Sequence, residues 1–241
     1  MKINIHAGHN PDGKLACGAV SIIRESTEAR RVKDEVISQL KQQGHIVYDC
    51  TCENGTSQAD VLTKIVTACN SHSVDLDVSI HFNAGAGDAT GNGKNTGVET
   101  YIYSAGSKAK PYAEKICGAI AELGFRNRGV KTNAELYFLR KTKAPAMLIE
   151  CCFVDDKDDV ELYDYKSTAE AIVYGITGQK IVQIDSTATD PDASAAGAET
   201  AVGTKRELYR VQVGAYGVKD NACRMQEKLK AAEFDAIVVK A

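Results

Sequence analysis

Two histidines and a few glutamates stand where a strand-rich scaffold delivers side chains to a cleft. His9 follows the run Lys2-Ile-Asn-Ile-His6 through Ala7-Gly8, and His81 lies near the end of Val74-Asp-Leu-Asp-Val-Ser-Ile-His-Phe82. Glu150 sits inside Pro145-Ala-Met-Leu-Ile-Glu-Cys151, an acidic side chain in an otherwise hydrophobic strand. An unpaired carboxylate there loses its hydration, so Glu150 needs a partner, a metal or a raised pKa. Ligands of an open parallel sheet bind outside the carboxyl ends of its strands, and residues at equivalent strand ends can converge there. Glu25, at the start of the first helical stretch, can direct its carboxylate into the same crevice. Two imidazoles and one carboxylate are the donor set of an open catalytic zinc site, and Glu150 is then left over as the base. Glu28 competes with Glu25 for the ligand position. Helical periodicity does not separate the two, and Glu28 also suits a helix-opening carboxylate facing free amides and the helix dipole.

These residues need a scaffold, and residues 1–178 supply the pattern of one, with short strand-like runs alternating with helical stretches. Strands are expected at Lys2 to His6, His45 to Tyr48, Val74 to Phe82, Val98 to Tyr103 and Ala146 to Phe153, with a short extension at Arg128 to Lys131. Helices are expected at Glu28 to Gln42, where Val32, Val36, Ile37 and Leu40 recur at helical spacing, and at Asp60 to Asn70, Lys108 to Leu123 and Ser167 to Thr177. The fold class is therefore α/β, a mainly parallel, twisted sheet with helices on both faces. From Gln183 to Thr204 the chain turns to Ala, Ser, Thr, Asp and Gly without an aromatic residue, the composition of a linker, assigned here to 179–205. Residues 206–241 read as strand, helix and strand, a small βαβ module with an incomplete core.

Composition narrows the function. The 241 residues are 44% hydrophobic and 25% charged, the balance of a globular protein, with no apolar run of the length that spans a bilayer. A net charge of -3 supplies no cationic footprint for nucleic acid. Met1 leads directly into Lys-Ile-Asn-Ile-His without the basic and apolar stretch of a signal peptide, so synthesis in the cytoplasm is expected. Eight cysteines are too sparse for a disulfide scaffold and show no C-x-x-C pair, which reads as structural, reduced thiols. The segment Gly85 to Gly97 invites a phosphate-loop reading and fails it. Asp88 stands where the first glycine belongs and Asn95 follows Lys94 where Ser or Thr is required, so a flexible loop at the cleft edge is expected.

His6-Ala-Gly-His9-Asn, Glu25, Ser79-Ile-His81-Phe-Asn83-Ala, Asn127-Arg-Gly-Val-Lys131 and Leu148-Ile-Glu150-Cys-Cys-Phe153, in this order, resemble the zinc-dependent N-acetylmuramoyl-L-alanine amidases of the Amidase_3 family. The amidase domains of clostridial phage endolysins are among the members most similar to it. The resemblance covers residues 1–178 and implies a sheet of about six strands. It also implies one zinc per chain, held by His9, Glu25 and His81, with Glu150 as the catalytic glutamate. Glu25 is preferred to Glu28 on its distance from the Gly44-His45 turn. The implied activity is hydrolysis of the amide between N-acetylmuramic acid and L-alanine in the bacterial cell wall, by an endolysin or autolysin acting there after release. Arg128 and Lys131 are candidates for gripping the acidic stem peptide, with Asn83 a third substrate contact. The run Tyr209-Arg-Val-Gln-Val-Gly-Ala-Tyr216 resembles the first half of a SPOR domain, a glycan-binding module, which makes peptidoglycan glycan strands and stem peptides the expected partners. The alternatives are a zinc carboxypeptidase of related architecture acting on wall peptides and a non-catalytic wall-binding protein.

Overall fold

A computed structural model describes residues 1–179, together with Cys223, Met225 and Gln226. Apart from those three residues, the expected βαβ module at 206–241 lies outside the described residues, as does nearly all of the expected linker. The chain divides into two units, Met1–Ile181 and Val182–Ala241, and the first is described below.

The elements run β1 (Lys2–Ala7), α1 (Glu25–Gln42), β2 (Ile46–Asp49), α2 (Gln58–Asn70), β3 (Leu76–Asn83), β4 (Val98–Ile102), α3 (Lys110–Glu122), β5 (Asn127–Thr132), α4 (Tyr137–Lys141), β6 (Ala146–Phe153), α5 (Lys157–Leu162) and α6 (Tyr165–Thr177). The strands form one six-stranded sheet in the order β2-β1-β3-β6-β4-β5. Four of the five pairings are parallel, and β4 runs antiparallel to β6. The reversal follows from connectivity. The chain passes from β3 to β4 through residues 84–97 with no crossover helix, and a parallel return requires one. The short extension expected at Arg128 to Lys131 is a full edge strand, β5, paired parallel to β4 across the α3 crossover.

Alternation along each strand divides the core between two layers. On β6, Met147, Ile149 and Cys151 face the larger cluster with Ile3, Ile5, Val78 and Ile80, which α1, α3 and α6 cover. Ala146 and Leu148 face the other side, with Val61, Ile65 and Phe138 from α2 and α4. Helix α1 starts at Glu25, three residues before the expected Glu28, because Arg24 O already accepts the first helical bond, from Glu28 N–H at 3.0 Å. Periodicity could not see α4 and α5, which are too short to carry a repeat. All eight cysteines are free. Among the described residues no helix is long and apolar enough to cross a membrane.

The glycine-rich segment differs from its expected flexibility. Asp155 accepts N–H donors from Gly85, Ala86 and Gly87, Asp158 from Asn92 and Gly93, Asp156 from Thr96 and Asp159 from Gly97. Amides that a phosphate-binding loop would present to its ligand are here occupied by the protein's own carboxylates from the β6–α5 turn and the first turn of α5.

Candidate metal centre and its acidic neighbour

His9, Glu25 and His81 converge from the loop after β1, the first turn of α1 and the end of β3, with their donor atoms within 4.8 Å of one another. Glu25 Oε1 lies 2.9 Å from His81 Nδ1 and 3.2 Å from His9 Nε2. Zinc bonds of about 2.0–2.1 Å in a tetrahedron separate neighbouring donors by about 3.3 Å, and both separations from Glu25 Oε1 are close to that value, so the donor types and their spacing suit the ion. The carboxylate is fixed from behind, where Ala19 N–H donates to Oε2 at 2.8 Å and Phe82 N–H to Oε1 at 3.3 Å. Burial opposes the charge on Glu25, but hydrogen bonds from His81 and then His9 outweigh it and hold the carboxyl well below the ordinary range. Burial lowers the pKa of His81, which keeps its imidazole neutral, the state in which a ring nitrogen ligates.

Two glycines make room for this cluster. A Cβ at Gly8 would stand 2.0 Å from His81 Cε1, and one at Gly18 would stand 2.4 Å from Glu25 Oε2 and 2.8 Å from His9 Cδ2. Gly18 also has φ +81°, a conformation side chains rarely adopt. Glu28, the rival ligand, points elsewhere. It accepts hydrogen bonds from Arg31 Nη1 at 3.0 Å and from Tyr163 OH at 3.0 Å, linking α1 to the α5–α6 junction.

Glu150 pairs in register with His81 on one side and with Glu99 on the other, so the three side chains share a face of the sheet. Its Oε2 is buried without a hydrogen-bond partner. Burial, then the charges of Glu25 and Glu99, push its pKa well above the usual carboxylate value. A carboxyl whose pKa is raised in this way holds a proton more readily than an ordinary carboxylate does.

Asn83, Arg128 and Lys131, the candidate substrate contacts, meet at a residue that the sequence reading did not single out. Glu99, 1% exposed, accepts from Asn83 Nδ2 at 2.9 Å and Tyr101 OH at 2.7 Å, and pairs with Arg128 Nε and Lys131 Nζ. Burial raises its pKa, while the bonds from Lys131, Arg128 and Tyr101 bring it down to about 2. Arg128 and Lys131 remain partly exposed, with 27% and 38% of their side-chain surface open, so two cations against one carboxylate leave an excess positive charge beside Glu150. The signal was available, since Glu99 is an acidic residue in an apolar strand just as Glu150 is.

The fold and the site define an α/β domain with a two-histidine, one-carboxylate cluster and a buried glutamate of raised pKa beside it, toward the carboxyl ends of parallel strands. The chain belongs to the N-acetylmuramoyl-L-alanine amidase family, Amidase_3, whose model matches residues 3–178. A SPOR domain model matches residues 187–240, beginning within the stretch that composition reads as linker. An uncharacterized protein of Clostridium perfringens is 40% identical over 69% of this chain and 48% of its own length. The N-acetylmuramoyl-L-alanine amidase CwlM of Bacillus licheniformis is 32% identical over 76% of this chain and 64% of its own. The chain thus spans about half of the first of these relatives and just under two thirds of the second. Among solved structures, the catalytic domain of the CD27L endolysin targeting Clostridia difficile has a TM-score of 0.66 and 29% identity, covering 75% of this chain and 99% of that one.

Proposed function

We propose that this protein is a zinc-dependent N-acetylmuramoyl-L-alanine amidase that acts on the bacterial cell wall, cleaving the amide between the lactyl group of N-acetylmuramic acid and L-alanine. The observation that carries this reading is the placement of Glu25 Oε1 between His9 Nε2 and His81 Nδ1, with Glu150 one strand away in register with His81. When bound to His9, Glu25 and His81, one zinc per chain would supply a Lewis acid for the scissile carbonyl and lower the pKa of a water. Glu150 takes a proton from the attacking water and delivers it to the departing nitrogen, because an amine leaves poorly unless protonated. Its lack of a hydrogen-bond partner at Oε2 leaves that oxygen free to carry the proton between the two. The excess charge of Arg128 and Lys131 over Glu99 suits the acidic stem peptide, and Asn83 holds the same cluster in place. Digestion of a defined peptidoglycan followed by mass spectrometry tests the reaction: intact stem peptides with a free L-alanine amine are expected, whereas loss of carboxy-terminal residues alone would identify a carboxypeptidase.

The SPOR match at 187–240 supports glycan strands as a second contact with the wall. Chemistry and core are complete within 1–178, so a fragment ending at Lys180 is expected to fold, bind zinc and cleave soluble muramoyl-peptides at about the rate of the full chain. Wall pull-down and lysis with both proteins check the division. Inactivity of the fragment on soluble substrate would place the domain boundary elsewhere, and a large loss of wall binding would assign binding to the C-terminal segment.

A further inference from the structure

His9 has a left-handed backbone, φ +64°, a conformation uncommon for residues with a Cβ. The chain must hold it there for the ring to face Glu25, and the group that does so lies outside the donor set. The Arg30 guanidinium, on α1, donates from Nη2 to His9 O at 3.1 Å and to Cys52 O at 3.0 Å. Its Nη1 donates to Ser26 O at 3.1 Å and Asn10 O at 3.5 Å, and Nε to Glu53 Oε1 at 3.1 Å. Ser26 directly follows Glu25, so a single planar cation ties the backbone of one ligand segment to that of the other and both to the loop after β2. Asn10 completes the clamp from inside. It is fully buried, donating to Leu15 O and Gly55 O at 2.7 Å each and accepting from Gly55 N–H at 2.8 Å.

From this geometry we infer that Arg30 is a positioning residue that sets the metal affinity of the site, by fixing His9 relative to the first turn of α1. The inference rests on the reading that His9, Glu25 and His81 hold zinc. Lysine cannot reproduce the contact, since an ammonium lacks the rigid fork that reaches several carbonyls at once. Arg31 serves as the control. It is on the same helix and carries the same charge, but it pairs with Glu28 and lies 4.4 Å over the Tyr165 ring, away from the donor set.

The test measures zinc dissociation constants of the full chain by competition with a chromophoric chelator, alongside urea unfolding of the metal-free proteins. Arg30→Met is expected to bind zinc about 10- to 100-fold more weakly, the usual consequence of removing a group that orients a ligand. Arg30→Lys should fall between it and wild type, and Arg31→Met should bind within about twofold of wild type even where its stability falls, because Arg31 orients no ligand. Unchanged affinity in Arg30→Met overturns the inference, and so does an equal loss in Arg31→Met, which would show that any weakening of α1 suffices. If Arg30→Met does not fold, Arg30→Lys decides: a loss of more than about threefold supports positioning and wild-type affinity refutes it. Failure of the wild-type chain to bind one zinc would instead refute the zinc reading itself.

Discussion

Glu150→Gln is expected to lower kcat by about 10²- to 10⁴-fold, the range for loss of a general acid/base, with zinc content unchanged. Glutamine keeps the shape of the side chain and cannot carry the proton. A companion effect on stability separates this role from a structural one. In metal-free protein the folded pKa of Glu150 lies well above its ordinary value of 4.5. The sign follows from linkage: below 4.5 the carboxyl is protonated whether folded or unfolded and exacts nothing. As pH rises from there through the folded pKa, the unfolded chain ionises first and folding loses stability. Glutamine never ionises, so metal-free Glu150→Gln should be more stable than wild type above this range and similar to it below. A cation held by the three ligands opposes the repulsion from Glu25 and Glu99, so the difference should shrink when zinc is added. Urea unfolding across pH, with and without zinc, measures both effects. A variant with near wild-type kcat would remove Glu150 from the chemistry, and a variant both inactive and destabilised at neutral pH would point to a structural defect.

Glu25→Gln is expected to weaken zinc binding by more than about 100-fold, beyond the effect of disturbing a supporting group, and to abolish activity at trace zinc. The amide oxygen is a poor substitute because it is neutral, and the two imidazoles then face a site without the negative charge that balances the ion. Glu28→Gln should leave zinc affinity unchanged. Its partner Arg31 is about half exposed and such pairs contribute about 0–1 kcal/mol, while Tyr163 can donate to a glutamine oxygen as well as to a carboxylate. Metal analysis of the two variants purified together gives the comparison directly. Zinc loss in Glu28→Gln with retention in Glu25→Gln would mean that the ligand lies one helical turn further along α1. Chelation of the wild-type chain should abolish turnover and added zinc should restore it, and full activity after exhaustive chelation would refute the metal requirement.

Much of the scaffold was legible in the sequence because its causes are local. The apolar spacing of Val32, Val36, Ile37 and Leu40 sets the buried face of α1, and the alternation on β6 separates Met147 and Ile149 from Ala146 and Leu148 whichever strands flank them. His9 and His81 stood out as polar residues at or near the ends of apolar strands and Glu150 as a carboxylate inside one, a one-dimensional signal with, for Glu150, a desolvation cost behind it. Periodicity could not choose between Glu25 and Glu28, since both lie in the first turn of one helix and only packing against Tyr163 and Phe82 sends their carboxylates to different places. The antiparallel course of β4 likewise depends on how residues 84–97 cross the end of the sheet, and it is that course which sets Glu99 opposite Glu150. Arg30 reads in the sequence as one more cation on a charged helix. Its contacts with His9, Ser26 and Cys52 join segments up to 43 residues apart and exist only once β1, α1 and the loop after β2 have come together, because hydrogen bonds to distant carbonyls leave no periodic trace in the chain that makes them.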